Sequence, residues 1–210
     1  MGLRAVIFDY GMVLSAPPNP EALARLLRMT GLDASRFNEL YWARRPAYDE
    51  GRLTGREFWQ QLERDAGAAP APEQIDELTN WDARMWTTEN PPMLDWQQRV
   101  KARGIKTAIL SNMGDSVHDL LVRTHDWIAR FDVLVWSFQL GIAKPDPAIY
   151  RYTLRELAVE PAEAFFIDDR VANIETARSL GMKYHLFSTP ERLREDVIAQ
   201  GLDGELPLPE

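Results

Sequence analysis

The stretch Arg4-Ala5-Val6-Ile7-Phe8-Asp9-Tyr10-Gly11-Met12-Val13-Leu14 decides how this chain folds. Its apolar part, from Ala5 to Phe8, is short and rich in branched and aromatic side chains, which is typical of a buried strand. Asp9 follows at the carboxyl end of that strand. Ligands of open α/β sheets bind at the carboxyl ends of the strands. Asp9 is therefore the first candidate for a functional residue.

The segment after this strand has a helical pattern and no convincing strand. Asn19 and Pro20 form a helix start, because Asn caps helices well and Pro is favoured at the first helical position. Thr54 to Glu57 resembles a capping box. Hydrophobic periodicity predicts four helices in this segment: Glu21 to Met29, Ala34 to Arg44, Thr54 to Ala66 and Glu73 to Trp86.

Beyond Asn90-Pro91-Pro92, predicted strands alternate with predicted helices. The strands are Ile105 to Leu110, Phe131 to Trp136, Ala164 to Ile167 and Met182 to Phe187. The helices are Met93 to Arg103, Ser116 to Ala129, Pro147 to Ala158, Ala172 to Leu180 and Pro190 to Gln200. The tail, Gly201 to Glu210, has no periodic signal and is a candidate for disorder.

This alternation predicts an α/β fold with βαβ units and a parallel sheet. We expect a Rossmann-like parallel sheet flanked by helices, with a small all-helical cap inserted after the first strand. The predicted core comprises residues 1–15 and 89–210, and the predicted cap comprises residues 16–88.

The composition is that of an ordinary soluble globular protein. Hydrophobic residues make up 45% and charged residues 27% of the 210 residues. The net charge of −8 argues against nucleic acid as the main partner. The absence of cysteine excludes disulfides, thiolate metal sites and a cysteine nucleophile. No apolar run is long enough to span a membrane, and no signal-peptide pattern is present, so we expect a cytoplasmic protein without a membrane partner.

Polar residues follow three further predicted strands or their loops. They are Ser111-Asn112, Lys144 in the loop after the third strand, and Asp168-Asp169. In a parallel sheet these positions lie at the same edge as Asp9. Adjacent carboxylates repel one another unless a metal cation or a lysine neutralises them. The four sets together therefore predict a charged site at this edge.

These motifs resemble those of the haloacid dehalogenase-like (HAD) hydrolase superfamily. The matching stretches are Phe8 to Leu14, Leu110-Ser111-Asn112, Gly141 to Asp146, and Phe166 to Asp169 with Asn173. The resemblance covers about residues 3–188, and the helical block has the position of that superfamily's small helical cap. In detail the motifs are most similar to the branch that holds glucose-1-phosphate phosphatase-type enzymes and the N-terminal phosphatase domain of soluble epoxide hydrolase.

The resemblance implies a catalytic role for three residues. Asp9 is implied as the nucleophile that forms an aspartyl-phosphate, which splits one hard displacement into two easier ones. Ser111 and the backbone amide of Asn112 are implied as donors to the phosphoryl oxygens. Lys144 is implied as a fixed positive charge beside the nucleophile and the phosphate.

The resemblance also implies a Mg²⁺ site. Its ligands would be Asp9, Asp169 and the backbone carbonyl of Gly11, with Asp168 as a supporting or further metal residue. Mg²⁺ prefers one or two carboxylates together with waters and substrate phosphate. Asn173 lies where many family members carry a further Asp, so it is expected to orient Asp169 or a metal-bound water.

Gly11 departs from the family pattern. Most phosphatases of the superfamily have a second Asp at this position, which protonates the leaving group and then activates water. Such general acid–base help is worth about 10²–10⁴-fold. Three interpretations stay open: a substrate with a better leaving group, another acid such as Asp168 or a cap residue, or a protein with little activity.

The sequence predicts a Mg²⁺-dependent phosphatase of a small phosphorylated metabolite, with a sugar phosphate as the first candidate. One alternative is a catalytically weak protein that binds phosphorylated ligands in a regulatory role. A second is a 2-haloacid dehalogenase, which needs no Mg²⁺ and lacks the acidic pair of the fourth motif. Oligomeric state is open between monomer and homodimer.

Substrate choice is expected from the cap segment Tyr41 to Tyr48. Its aromatic side chains suit a sugar or an apolar group, and Arg45 is the candidate for binding phosphate. The alternative is that Trp42 and Tyr48 pack inside the cap while Arg44-Arg45 forms a solvated face. Three other tryptophans, Trp59, Trp81 and Trp86, are expected to pack between cap helices.

Overall fold

A computed structural model describes residues 2–210 and contains the parallel sheet that the sequence predicts. The strand order is β3-β2-β1-β4-β5 and every pairing is parallel. The strands are β1 (Ala5–Phe8), β2 (Lys106–Ser111), β3 (Val133–Trp136), β4 (Ala164–Asp168) and β5 (Lys183–Leu186). Phe8 is aligned with Ile109 on one side and Ile167 on the other. This register brings the residues that follow β1, β2 and β4 to one edge of the sheet.

The helices lie between these strands and in the segment after β1. They are α1 (Pro20–Thr30), α2 (Ala34–Asp49), α3 (Gly55–Asp65), α4 (Pro72–Met85), α5 (Pro91–Ala102), α6 (Asp115–Thr124), α7 (Ser137–Leu140), α8 (Pro147–Leu157), α9 (Val171–Ser179) and α10 (Pro190–Ala199). Within residues 2–210, no helix is both long enough and apolar enough to cross a membrane.

The sheet is buried on both faces, because successive side chains of β1 enter different hydrophobic clusters. Val6 and Phe8 belong to one cluster, and Ala5 and Ile7 to the other. All four are fully buried. A parallel sheet covered by helices on both sides requires such continuous apolar strands, which is why the run after Arg4 has no polar residue before Asp9.

Helices α1 to α4 form a third hydrophobic cluster of their own. The chain enters and leaves this helical unit along two adjacent paths, since Ser15 pairs with Glu89 and the Ala16 amide donates to the Thr88 carbonyl at 2.9 Å. Nearby, the Asn90 amide donates to the Leu14 carbonyl at 2.9 Å. We propose residues 16–88 as the cap, a division that rests on this separate cluster and its paired connections.

Three glycines allow the cap to approach the core closely. A Cβ atom at Gly114 would overlap the ring of Tyr48, and one at Gly55 would overlap the Ser116 hydroxyl. One at Gly51, which has φ +69°, would clash with the Phe138 backbone. The contact between the end of α2 and the residues after β2 therefore depends on glycine, which has no side chain, at these positions. It holds the carboxyl end of α2 over the edge of the sheet.

Two helix predictions were wrong in extent. Helix α2 continues past Arg44 and through Pro46 to Asp49, because the buried side chains of Arg45 and Tyr48 keep this turn packed against the rest of the protein. The predicted helix Ser116 to Ala129 ends at Thr124 and is followed by a separate 3₁₀ turn. The break occurs at His125, whose backbone is extended (φ −131°, ψ 93°).

The tail is ordered, contrary to the expectation of disorder. Leu202 and Leu206 are buried in the same cluster as Trp96. The Trp96 indole also donates a hydrogen bond to the Pro207 carbonyl at 2.6 Å. Isolated apolar side chains that fill gaps in a core leave no periodic pattern, so the sequence did not reveal them.

Candidate active site

Asp9 is held at the carboxyl end of β1 with one oxygen committed and one free. Its amide donates to the Ile167 carbonyl at 2.9 Å, which continues the pairing of β1 with β4. Its Oδ1 accepts from the Tyr10 amide at 2.6 Å and lies 2.8 Å from the Lys144 Nζ. Its Oδ2 accepts no hydrogen bond within residues 2–210. The free oxygen of this 7% exposed residue can act as a nucleophile or a metal ligand.

Lys144 is a buried cation between two carboxylates. Its Nζ lies 2.8 Å from Asp9 Oδ1 and 2.7 Å from Asp168 Oδ2, and its side chain is 1% exposed. Burial lowers the pKa of Lys144, but Asp168 and Asp9 outweigh burial and raise that pKa above its usual range. The lysine therefore stays charged and is fixed in place.

Asn112 positions Lys144 through its backbone. The Asn112 Nδ2 donates to the Lys144 carbonyl, and the Lys144 amide donates to Asn112 Oδ1, both at 2.8 Å. The side chain of Asn112 is thus occupied by the loop after β3. Only its backbone amide is left for the phosphate role that the resemblance implies.

The two adjacent carboxylates after β4 have different surroundings. Asp168 is fully buried, and its Oδ1 accepts from the Arg170 amide and Asn173 Nδ2, while its Oδ2 accepts from Lys144 Nζ and Asn173 Nδ2. Asp169 is only partly buried and receives no side-chain hydrogen bond within residues 2–210. The arrangement suits Asp168 for orienting Lys144 and leaves Asp169 available for a cation.

Carboxylates outnumber cations in the immediate surroundings of Lys144. The pKa of Asp9 is raised to about 7, because burial and the neighbouring Asp168 and Asp169 together outweigh the lowering effect of Lys144. Burial and the neighbouring Asp168 also raise the pKa of Asp169. Three carboxylates surround this one lysine, so an anionic phosphate placed between them would be repelled unless a further cation compensated that charge.

The donor set fits Mg²⁺. Carboxylate oxygens of Asp9, Asp168 and Asp169 lie within 4.8 Å of one another. Oxygen ligands with a net negative charge are those that Mg²⁺ prefers. Because the acceptor positions of Asp168 are occupied, Asp9 and Asp169 are the better ligands, with Gly11 beside them in the cavity wall.

A cavity of about 500 Å³ opens between this edge and the cap. The core residues that line this cavity include Asp9, Gly11, Ser111, Asn112, Lys144, Asp169, Arg170 and Asn173. Ser111 is the last residue of β2 and is 2% exposed.

A Cβ atom at Gly11 would meet no atom within 4 Å, and the backbone there (φ −60°, ψ 132°) suits any residue. Space does not explain why position 11 lacks an acid.

The cap contributes Arg45 and Asp49 to the cavity wall. Arg45 Nε donates to Asp49 Oδ1 at 2.8 Å, and its Nη1 donates to the Tyr41 hydroxyl. Its guanidinium also lies 5.3 Å from the ring centre of Tyr48 and 5.5 Å from that of Trp86. Its Nη2 makes no hydrogen bond within residues 2–210, so one donor is left for an anionic ligand.

The expectations for the cap segment are each met in part. Tyr48 packs inside the cap, whereas Trp42 is 50% exposed and lines the cavity. Arg44 pairs with Asp65 at the surface, while Arg45 is buried.

Sequence reasoning missed Asp49 and assigned Trp86 to packing alone, although both line the cavity. The available signal was the spacing of Asp49 from Arg45, because residues four apart meet on a helix face.

The comparisons with known proteins identify the family. The family model described as "Hydrolase: haloacid dehalogenase-like hydrolase" matches residues 3–181. The chain belongs to the haloacid dehalogenase-like hydrolase family. The expected HAD resemblance is thereby confirmed.

Two longer curated relatives are each 30% identical to this chain. They are Acyl-CoA dehydrogenase family member 10 of Mus musculus, over 90% of this chain, and Bifunctional epoxide hydrolase 2 of Sus scrofa, over 93%. The chain spans only 18% and 38% of those two proteins. Phosphatase MT3486 of Mycobacterium tuberculosis is 27% identical over 94% of this chain and 93% of its own length.

Solved HAD structures share the fold. A predicted HAD-like family hydrolase of Porphyromonas gingivalis has a TM-score of 0.73 at 22% identity, covering 95% of this chain and 98% of that chain. A HAD family enzyme of Bacteroides thetaiotaomicron, in complex with magnesium and inorganic phosphate, scores 0.71 at 22% identity, covering 89% and 95%. L-2-haloacid dehalogenase of Xanthobacter autotrophicus scores 0.66 at 19% identity, covering 95% and 84%. At these identities the likeness extends to the fold alone.

Proposed function

We propose that this HAD hydrolase is a Mg²⁺-dependent phosphatase that hydrolyses a small phosphorylated metabolite through an aspartyl-phosphate on Asp9. The observation that carries the proposal is the buried Lys144 held between Asp9 and Asp168, with Asp169 unpaired beside them. A related protein of nearly equal length is named a phosphatase, which supports the same chemistry. The cytoplasmic location stays a prediction.

In the first step, Asp9 Oδ2 attacks the phosphorus atom of the substrate. The bond from phosphorus to the leaving oxygen breaks, and the leaving group takes up a proton. Lys144 stabilises the negative charge on the phosphoryl oxygens, while Ser111 and the Asn112 amide donate hydrogen bonds to them. Asp168 holds Lys144 in the orientation that this step needs.

In the second step, water attacks the phosphorus of the aspartyl-phosphate and gives up a proton to a base. The bond from phosphorus to Asp9 breaks, which frees the carboxylate and inorganic phosphate. Asp9, Asp169 and the Gly11 carbonyl would hold Mg²⁺. When bound, the ion neutralises and orients the phosphoryl group.

The cap supports a ligand that combines an anion with a ring. Arg45 offers a free Nη2, and Trp42 and Trp86 bring aromatic faces to the same cavity. Such faces stack on sugar rings and on other flat apolar groups. A sugar phosphate stays the first candidate. A cavity of about 500 Å³ limits the substrate to a small metabolite.

The test is hydrolysis of 4-nitrophenyl phosphate by the wild type and by Asp9→Asn, with and without Mg²⁺. We expect turnover by the wild type with Mg²⁺ only, and a loss of at least about 10³-fold in Asp9→Asn because the nucleophile is absent. Equal rates for the two proteins would contradict the proposal. A screen of phosphorylated metabolites, with sugar phosphates included, then identifies the substrate.

The same assay separates the two alternatives. A dehalogenase would release halide from 2-chloropropionate without Mg²⁺, and the unpaired Asp169 argues against that chemistry because it adds an uncompensated charge. A regulatory protein would bind phosphate esters without turnover. Calorimetric binding of inorganic phosphate, with no hydrolysis of any ester, would favour that interpretation.

A further inference from the structure

The proposed phosphatase lacks an obvious proton donor. Gly11 occupies the position from which an Asp would protonate the leaving group, and its backbone and surroundings would accept one. Asp9, Asp168 and Asp169 are engaged with Lys144 or are available for the cation. The proton must then come from another titratable side chain in the cavity wall.

Asp49 is a cap carboxylate in that wall. Its side chain is 13% exposed, and its Oδ1 accepts from Arg45 Nε at 2.8 Å. Its Oδ2 accepts no hydrogen bond within residues 2–210. One oxygen is therefore fixed while the other is unpaired, in a side chain that lines the cavity, and this is the arrangement that a positioned acid and base needs.

The core fixes the position of Asp49. The Ser137 hydroxyl donates to the Asp49 carbonyl and accepts from the Met113 amide at 2.9 Å. Met113 follows the phosphate-binding residues Ser111 and Asn112. The absence of a side chain at Gly51 lets this turn approach Phe138. Asp49 is therefore tied to the same loop that carries the proposed phosphate donors.

We propose that Asp49 is the general acid and base of this enzyme, supplying from the cap the carboxyl group that position 11 lacks. The inference rests on the proposed phosphatase function. In the first step Asp49 gives its proton to the leaving oxygen as the bond to phosphorus breaks. In the second, the Asp49 carboxylate takes a proton from water as water bonds to phosphorus and Asp9 departs, so Asp49 ends protonated as it began.

The charges around Asp49 are compatible with both roles. Burial raises the pKa of Asp49 above its usual range, while Arg45, Arg170 and Lys144 act to lower it. Asp82, a buried carboxylate of the cap, lies near Arg45 Nη1 and adds negative charge. These opposing effects allow Asp49 to exist both as a protonated carboxyl group and as a carboxylate.

The test compares Asp49→Asn with wild type on aryl and alkyl phosphates, using stopped-flow measurement of nitrophenolate release for the aryl ester and rapid-quench measurement of alcohol release for the alkyl esters. With 4-nitrophenyl phosphate, the variant should release one nitrophenolate per enzyme in a rapid burst. Its later turnover should be slowed about 10²–10⁴-fold, because hydrolysis of the aspartyl-phosphate lacks its base. With alkyl phosphates the burst should disappear, since the poor leaving group lacks its acid.

The matched control is Asp82→Asn, which alters the same Arg45 network without lining the cavity. It should change KM or stability but leave the dependence on the leaving group unchanged. An Asp49→Asn variant with an equal loss on every substrate and no burst would overturn the proposal, and Asp49 would then only position Arg45. A wild type without Mg²⁺-dependent turnover would instead refute the phosphatase function itself.

A second measurement needs no variant. If Asp49 is the acid, wild-type kcat/KM for alkyl phosphates should fall as pH rises and Asp49 ionises, and this fall should be absent for 4-nitrophenyl phosphate. Asp9 contributes equally to both profiles, so the difference that is left after correction for the ionisation of each ester reports the acid. Identical profiles would contradict the role of Asp49.

Discussion

Lys144 is the residue with the most unequal charge environment, since its single positive charge is surrounded by three carboxylates. Two of them lie within 2.8 Å of its Nζ. Removing one partner of a buried charge pair costs about 3–5 kcal/mol, because the remaining charge stays desolvated. Here the remaining groups can take up protons. The cost of losing the lysine should therefore depend on pH.

We expect Lys144→Met to abolish activity and to lower the free energy of unfolding by about 3 kcal/mol at pH 8. The loss should be smaller at pH 5.5. Asp9 already has a folded-state pKa of about 7, above its unfolded value, and losing the lysine raises it further. Folding is therefore favoured at low pH, where the carboxyl is protonated, and this stability is lost as pH rises. Urea unfolding at both pH values measures the difference.

Lys101→Met is the control, because Lys101 pairs with Asp132 at the surface and is 41% exposed. Its effect should stay within about 1 kcal/mol at either pH. A pH-independent loss for Lys144→Met would contradict the assigned charge balance.

The contact of α2 with the residues after β2 shows how elements position the site. Arg45 and Asp49 belong to a cap helix, yet they face side chains that follow core strands. Tyr48 lies directly over Gly114, and its hydroxyl accepts from the Ser116 amide at 3.3 Å. The site therefore requires that the cap and the core approach each other closely, which the absence of a side chain at Gly114 allows.

Two glycine-to-alanine substitutions test this contact. Gly114→Ala should destabilise the protein by about 1–3 kcal/mol, because the new methyl group overlaps the buried Tyr48 ring. It should also raise KM by displacing Arg45. Gly11→Ala adds a methyl group in open space, at a φ that alanine adopts readily. The free energy of unfolding should therefore stay the same or rise by up to about 1 kcal/mol. Thermal unfolding of both variants gives the comparison, and equal destabilisation would contradict the assigned packing.

At the scale of the whole molecule, the cap covers a cavity at the carboxyl edge of the sheet. Residues from four separate parts of the chain lie together at this edge. Burial is the largest cause of the raised pKa of Asp9. A cation can bind Asp9 only after its proton leaves. The enclosure of the site would therefore couple binding of the proposed Mg²⁺ to pH.

We expect Mg²⁺ binding to release protons at pH 6.5 and almost none at pH 8.5, because Asp9 has a pKa of about 7 without the ion. Affinity should rise with pH up to about 7 and then level. Isothermal titration calorimetry in buffers of different ionisation enthalpy measures the protons released. Asp169→Asn should weaken binding at both pH values. A binding heat that does not depend on the buffer at pH 6.5 would count against Asp9 as a ligand.

The sequence by itself determined the elements and the family motifs of this protein. Apolar runs, glycine stops and helix caps act locally, so the strands and the caps at Asn19 and Thr54 were predicted and confirmed. The motif residues Asp9, Ser111, Lys144 and Asp169 were proposed for the same reason, since each lies at the end of a strand or in the loop after one.

Only the tertiary structure decided which residues face one another. The different surroundings of Asp168 and Asp169, the commitment of the Asn112 side chain to Lys144, and the entry of Asp49 into the cavity depend on distances between distant segments. The burial of the tail against Trp96 depends on them as well. Hydrogen bonds and desolvation are set by the neighbours that folding supplies, and no local pattern encodes them.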